Sequence, residues 1–302
     1  MIVRPRPRVW ELLGIFRLSI VPRIAPQIVS VLVFSVGVVW AERRLPEVFR
    51  GWSVAPFTLL GIALSIFLGF RNNACYDRWW EARRQLGALI GELRSFGRMA
   101  VLLPGGDRMR RERVVRGAIA YVYALMSHLR GEGMAAEVAR YGNGWSEVAE
   151  GRSVPDAVLR GLAGEYGAML AEGEIGEQVW RGFEERVVAM TAIQVACERI
   201  RGTPTPFTYT LLLHRTAYAF CFLLPFSLVG TLGWATPVFC VVVAYAFFGL
   251  DVLGDELEEP FGDSLNALPL WAMARTVEIS LLESLGAAEI PKALVPVNCV
   301  LR

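Results

Sequence analysis

Three bulky apolar residues at four-residue spacing, Ile62, Ile66 and Phe70, form the pattern in this sequence most able to act on ions. Residues four apart lie along one face of an α-helix. Such a face either contacts lipid and neighbouring helices or, if copies of the helix surround an axis, forms stacked apolar rings. Rings of this kind gate ions by admitting or expelling water. The pattern by itself leaves both interpretations open.

Polar residues follow this face directly, at Arg71, Asn72 and Asn73. Long basic side chains at the end of a membrane helix commonly extend toward the headgroups, which would explain Arg71 without any role in transport. The alternative interpretation is a collar that faces ions at the inner end of a constriction.

An acidic cluster lies near the end of a later apolar run and comprises Asp251, Asp255, Glu256, Glu258 and Glu259. A run of charges is usually a solvated face. If the cluster faced an axial cavity in an oligomer, its field would concentrate cations there.

Residues that support covalent or metal chemistry are scattered along the chain. The five cysteines include no CxxC pair, and His128 and His214 have no histidine partner at metal-binding spacing. The sequence also lacks HExxH, GxSxG, P-loop and GxGxxG motifs. We therefore expect no catalytic residues, no metal site and no cofactor.

The composition indicates a membrane protein with a water-facing part. Of the 302 residues, 54% are hydrophobic and 20% are charged, and the mean hydropathy is +0.41. An ordinary soluble domain is less apolar than this. The formal net charge of +2 gives no support to nucleic-acid binding.

Uncharged runs predict where the chain crosses the bilayer. The run over residues 216–250 is too long for one crossing of a ~30 Å hydrocarbon core, and it contains Gly230, Gly233 and Pro237 near its middle, so it folds back. The four predicted spans are 24–41, 54–70, 214–232 and 236–252.

The distribution of arginine predicts the orientation of these spans. Basic residues precede the first span at positions 4, 6, 8, 17 and 23 and follow the second at 71, 78, 83 and 84, whereas Arg43, Arg44 and Arg50 in the connection are partly balanced by acids. Both termini and the middle segment are therefore expected in the cytoplasm. A signal peptide cleaved near residues 39–41 is the competing interpretation, although the apolar run is longer than a signal peptide requires.

The middle of the chain shows helical periodicity and no convincing strand alternation, so the fold class is predicted to be all-α. Residues 103–107 are predicted to end an amphipathic helix that continues from the second span, and residues 142–151 to form a loop. The predicted domains are 1–70 with the first two spans, a cytoplasmic helical region 71–206, the last two spans in 207–252, and a cytoplasmic C-terminal segment 253–302.

Three long motifs in order make the sequence resemble the bacterial branch of the bestrophin channel family. The motifs are IFLGFRNNACYDR at 66–78 with EAR at 81–83, CERI at 197–200 with TPTP at 203–206, and ELEEPFG at 256–262. The resemblance covers roughly residues 1–100 and 192–300.

The resemblance implies a homopentamer with an axial ion pathway, and with the four predicted spans this gives a passive channel through the lipid bilayer of a bacterial inner membrane. It assigns Ile62, Ile66 and Phe70 to the narrow neck and, by counting back from Cys197, Gln178 to a second, cytoplasmic constriction. The sequence DSLN at 263–266 lacks the dense acids of the calcium site in eukaryotic members, so calcium gating is not expected.

Ion selectivity remains a choice between two alternatives at the level of sequence. Characterised bacterial members favour monovalent cations, and isoleucine at two neck levels departs from the eukaryotic chloride channels, so Na⁺ or K⁺ is the primary expectation. A chloride or general anion channel of the same architecture is the alternative. A non-conducting membrane scaffold or a membrane enzyme is a more distant one, because the predicted spans hold no polar catalytic constellation.

Overall fold

The computed structural model describes residues 1–4, 8, 10, 14, 18–49, 51–102, 107–142, 145 and 153–301. Arg6, Arg17, Arg50, the predicted turn at 103–106 and most of the predicted loop 142–151 lie outside the described residues.

The described chain is helical, as the sequence predicts, and no strand longer than an isolated bridge occurs in it. The α-helices are α1 Val21–Arg44, α2 Pro46–Phe49, α3 Val54–Val101, α4 Arg108–Arg130, α5 Ala136–Tyr141, α6 Val154–Ala171, α7 Glu177–Gly202, α8 Phe207–Leu232, α9 Thr236–Glu258 and α10 Leu270–Leu285. Isolated antiparallel bridges pair Ile2 with Val300 and Val297 with Val300.

The third apolar run folds back where the sequence predicts. Helix α8 ends at Leu232, a short 3₁₀ turn covers Gly233–Ala235, and α9 begins at Thr236. Gly233 has a φ of +49°, which a glycine adopts without the steric cost of a Cβ. Pro237 lies in the first turn of α9, where its missing N–H group costs no hydrogen bond.

Helix α3 runs unbroken over 48 residues, from Val54 to Val101. The second span thus continues into the following amphipathic helix, as the sequence predicts, and the span and domain boundary at residue 70 lies inside this one helix. Residues 71–78 change the polarity of the helix but include no proline or glycine that would end it. Helices long and apolar enough to cross a membrane occupy Val21–Arg44, Val54–Val101 and Phe207–Glu258, the last of which contains α8 and α9.

The chain divides into two compact units. One, here called the membrane unit, comprises Arg4–Trp79 and Pro204–Glu259. Its apolar core joins α1, α3, α8 and α9 through buried residues such as Val31, Leu64 and Ala244. A Cβ on Gly61 would lie 3.1 Å from the ring of Phe220, so this glycine lets the aromatic ring approach α3 closely.

The other unit, here called the polar unit, comprises Met1–Val3, Trp80–Thr203 and Pro260–Arg302. Helix α4 forms its centre and buries fourteen of its 23 residues. The Tyr121 hydroxyl donates a hydrogen bond to the Met190 carbonyl, which links α4 to α7. At Gly97 a Cβ would lie 2.2 Å from a methyl group of Leu281, so glycine permits the close contact between α3 and α10.

Candidate functional site

The three apolar residues singled out by their spacing lie on an outward face of α3. Ile62, Ile66 and Phe70 expose 54%, 50% and 62% of their surface, whereas Leu64 and Leu68 on the opposite side are buried at 1% and 0%. The helix is thus anchored in the core of the membrane unit by one side. Its other side presents a continuous apolar stripe to lipid, to another chain or to an ion path.

The same face becomes polar immediately after Phe70. Asn73 and Asp77 are exposed, and at 3.6 residues per turn they lie within the roughly 80° sector that the three apolar residues occupy. Asp77 is not among the candidate residues inferred from the sequence. Its signal was available, because Asp77 continues the spacing of Ile66, Phe70 and Asn73 along the helix.

Arg71 does not belong to this outward face. Its side chain is 0% exposed, and its guanidinium Nη1 lies 2.9 Å from Asp251 Oδ1 and donates to the Asp251 carbonyl at 3.2 Å. Its Nη2 contacts Asp255 Oδ1 and lies 3.5 Å from Glu258 Oε2. The interpretation of Arg71 as part of an ion-facing collar therefore does not fit its burial among α9 carboxylates.

Asn72 also turns toward α9, and only Asn73 of the three polar residues lies on the exposed face. Both amide atoms of Asn72 are buried and have no hydrogen-bond partner within the described part of the chain. A Cβ on Gly254 would lie 2.6 Å from Asn72 Oδ1 and 3.1 Å from Arg71 Nη1. Glycine at 254 therefore creates the space in which Arg71 and Asn72 approach α9.

Asp251 connects three helices of the membrane unit. Its Oδ1 accepts from Arg71 on α3, and its Oδ2 lies 2.7 Å from Nδ1 of His214 on α8. The carboxylate is 4% exposed. A buried charge is tolerated only when it is paired, and here the arginine and the imidazole supply both partners.

The remaining acids of the cluster have different environments. Glu256 is 4% exposed and lies 2.6 Å from Arg23 Nη1. Glu258 accepts from the backbone N–H of Thr205 at 2.9 Å, while Asp255 and Glu259 are exposed. The five acids therefore do not form a single unpaired acidic face, because four of them pair with arginine side chains.

Gln178 is exposed and is the second residue of α7, in the polar unit. No three His, Cys, Asp or Glu side chains in the described ranges come together as a set of metal ligands. All five cysteines are free thiols, and burial raises the pKa of Cys197 in the polar unit to about 12.

Comparisons with known proteins agree along nearly the whole chain. A family described as Bacterial/Fungal Bestrophin protein matches residues 1–283. A voltage-dependent anion channel-forming protein of Mesorhizobium japonicum is 44% identical over 297 residues, which is 97% of this chain and 95% of the relative. The voltage-dependent anion channel-forming protein YneE of Escherichia coli is 36% identical over 300 residues, 98% of each chain.

A solved structure agrees with the observed fold. The crystal structure of a bacterial bestrophin homologue from Klebsiella pneumoniae is 33% identical in sequence and superposes with a TM-score of 0.84, covering 88% of this chain and 100% of that one.

Proposed function

The chain belongs to the bacterial and fungal bestrophin family and is an ion channel, and from this membership and the outward face of α3 we propose that five copies form a passive pore with a hydrophobic neck. In this proposal Ile62, Ile66 and Phe70 line the neck. The main support for this proposal is the apolar stripe of α3, which remains about half exposed although the opposite side of the same helix is buried. Its direct continuation into Asn73 and Asp77 suits a path that passes from a dry constriction into water.

The proposed membrane placement follows from helix length. At ~1.5 Å per residue, α3 extends for about 72 Å, more than twice the ~30 Å hydrocarbon core. Its first part is proposed to cross the bilayer and its remainder to continue into the cytoplasm. Together with α1, α8 and α9 this gives four crossings of a bacterial inner membrane, with both termini cytoplasmic.

The proposed domains keep the division made from the sequence. Residues 1–70 and 207–252 supply the membrane spans, and 71–206 and 253–302 the cytoplasmic parts. Gln178 is proposed to line a second constriction on the cytoplasmic side, for which its exposed position at the start of α7 is the support. No observation favours the alternative of a membrane enzyme or a scaffold, whereas the family is one of channels.

For the ion we favour an anion over the cation that the sequence analysis expected. The relatives named above are called anion channel-forming proteins. The cation hypothesis rested partly on the acidic cluster of α9, and that cluster offers little free negative charge because Arg71 and Arg23 pair with Asp251, Asp255 and Glu256. An apolar neck by itself selects neither sign of charge.

One observation supports monovalent cations as a second candidate. Asp77 is an exposed carboxylate on the neck face of α3, two turns beyond Phe70. Five copies around an axis would form a ring of negative charge that attracts cations and repels anions.

Reversal potentials in planar bilayers under a KCl gradient test both candidates. Anion selectivity predicts a reversal potential shifted toward the chloride equilibrium potential, unchanged when K⁺ is replaced by a large impermeant cation. If Asp77 sets cation selectivity, the potential shifts instead toward that of K⁺, and Asp77→Asn moves it back. Glu259→Gln is the matched control, since it removes an exposed acid that directly follows α9 and does not lie on the neck face.

Alanine substitution of Ile66 and Phe70 tests the pore itself. Smaller side chains widen and wet the constriction, so single-channel conductance is expected to rise. An unchanged conductance in the double variant would count against the assigned face.

A further inference from the structure

A cavity of about 470 Å³ lies within the polar unit, and none of the residues assigned to the neck lines it. Its walls come from the last residue of α3, the first turns of α4, the end of α5 and the segment that follows α10. This volume falls in the range of pockets that hold small organic molecules, roughly 300 to 1,000 Å³.

The cavity is rich in positive charge. Arg108, Arg111, Arg116 and Arg140 line it, against the two carboxylates Glu112 and Glu289. One of these carboxylates is already engaged, because Glu112 lies 2.5 Å from Arg116. In the described ranges no carboxylate pairs with the other three arginines, so the cavity carries excess positive charge.

Two of the arginines have donor groups that remain unused. The Nε atoms of Arg111 and Arg116 are buried and find no hydrogen-bond acceptor among the described residues. A buried donor without a partner costs free energy, since it has lost water and gained nothing in return. An anion held in the cavity would reach these Nε atoms only after the guanidinium groups turn toward it, and both side chains already line the cavity.

The start of α4 carries several basic side chains, and the N-terminus of a helix disfavours positive charge. Its first turn includes Arg108, Arg110 and Arg111 and no acid, and the one acid at the helix start is the N-cap Asp107, whose side chain accepts from the Met109 N–H at 3.1 Å. The positive end of the helix dipole destabilises basic side chains at this position. Arg110 is compensated by Glu172 at 2.6 Å and Glu174 at 3.5 Å, whereas Arg108 and Arg111 lack such compensation within the described chain. Asp107 already offsets the helix dipole, and an anion bound here would offset the charge of the two arginines.

The opposite wall of the cavity is apolar. Leu282 and Leu285 of α10 line it, together with Ala287 and Ala288 beyond the helix end. Gly286 makes the turn between them with a φ of +66°, which favours glycine. The wall offers a contact surface for an uncharged organic group, which inorganic phosphate does not possess.

We propose that this cavity binds a small organic phosphate with at least two negative charges, such as a nucleoside diphosphate. Guanidinium groups match phosphate oxygens through paired N–H donors, and several arginines around one cavity suit more than one phosphate group. The leucine and alanine wall receives the organic part. The site is separate from the proposed neck, so it stands whether or not the ion selectivity proposed above is right.

Tyr141 connects the cavity to the core of the polar unit. The tyrosine lines the cavity and donates from its hydroxyl to Glu278 Oε1 at 2.8 Å. Glu278 Oε2 accepts from the Tyr123 hydroxyl at 2.6 Å and lies 3.0 Å from Arg275 Nε.

Because a ligand that binds only the folded state stabilises that state, occupancy of the cavity is expected to raise the thermal unfolding midpoint of the full-length protein.

Calorimetric titration of the purified full-length protein in detergent with ADP, and separately with pyrophosphate, tests the proposal. ADP is expected to bind more tightly than pyrophosphate because of the apolar wall. Arg111→Gln and Arg140→Gln are each expected to weaken ADP binding by about tenfold or more, since each removes a charge-assisted hydrogen bond.

Arg160→Gln is the matched control. It removes an arginine that is 76% exposed, pairs with Asp156 and does not line the cavity. Arg108→Gln is a further variant of the cavity lining. Because Arg108 is exposed, its replacement should not prevent folding, so ADP binding can still be measured if Arg111→Gln does not fold. Absence of binding by both probes, or equal affinity in Arg108→Gln and the control, would overturn the proposal.

A lipid headgroup carries the same phosphate chemistry, and reconstitution distinguishes it from a soluble ligand. ADP affinity should be equal in nanodiscs of phosphatidylcholine and in nanodiscs containing phosphatidylglycerol. Loss of ADP binding only in the presence of phosphatidylglycerol would mean that the lipid occupies the site, and would overturn the assignment to a soluble phosphate.

Discussion

Replacement of Arg71 by methionine removes the central charge of the membrane unit. Methionine keeps a long apolar stem but no donor. The change deletes the contacts of the guanidinium with both the side chain and the carbonyl of Asp251, and with Asp255 and Glu258. Asp251, at 4% exposure, is left with His214 as its partner.

The expected loss of stability follows from this burial. Removal of one partner from a buried ion pair costs about 3 to 5 kcal/mol, because the other charge remains uncompensated away from water. The same substitution at exposed Arg215 on α8 is the control and is expected to change stability by about 0.5 kcal/mol or less. Removing the carboxylate as well, in Arg71→Met with Asp251→Asn, should cost less than the sum of the two single changes, by roughly 0.5 to 3 kcal/mol.

Unfolding of each variant by guanidinium chloride in detergent micelles, followed by tryptophan fluorescence, measures these differences in the free energy of unfolding. Equal free energies of unfolding for Arg71→Met and Arg215→Met would refute the argument that Arg71 is a buried, paired charge. Strict additivity in the double variant would refute the direct pairing with Asp251.

Three further outcomes are expected. Gly254→Ala should destabilise the membrane unit, because its Cβ would lie 2.6 Å from Asn72 Oδ1; a thermal midpoint equal to that of the parent would contradict this. Burial raises the pKa of the Tyr166 phenol, so the neutral form is favoured in the folded state and stability should fall as pH rises past about 10, the pKa of an unfolded tyrosine. Tyr166→Phe should make that fall shallower in unfolding titrations between pH 8 and pH 11, and an unchanged slope would contradict the assignment. Cys197, with its pKa raised to about 12 and no exposed surface, should resist alkylation at pH 8 under conditions that label Cys299, as mass spectrometry of the intact protein can measure.

Much of the helical architecture could be predicted from the sequence because its signals are local. Uncharged runs of span length locate the apolar helices, and the glycine and proline residues near Gly233 and Pro237 locate the turn between α8 and α9. That Ile62, Ile66 and Phe70 share one helix face also follows from their spacing, whereas the exposure of that face is seen only in the structure. Whether the face lines a pore depends on other copies of the chain, which no spacing can report.

The environment of Arg71 could not be predicted for the opposite reason. Its carboxylate partners lie about 180 residues further along the chain. A polar residue after an apolar run is normally expected to face water, and here tertiary packing around Gly254 overrides that expectation. The same contacts explain why the acidic cluster, prominent as a run of charges, is largely a set of ion-pair partners in the folded chain.

The central claim is that the exposed face of α3 borders an aqueous ion path and not lipid. Ile66→Cys in a Cys299→Ser background, recorded in planar bilayers, tests it most directly, because the other four native cysteines are buried. A negatively charged methanethiosulfonate reagent reacts with thiols in water and can enter an anion path, so it is expected to alter the current through Ile66→Cys sharply and to leave Val242→Cys, at an exposed site on α9, unaffected. A current through Ile66→Cys that the reagent does not change would contradict the account.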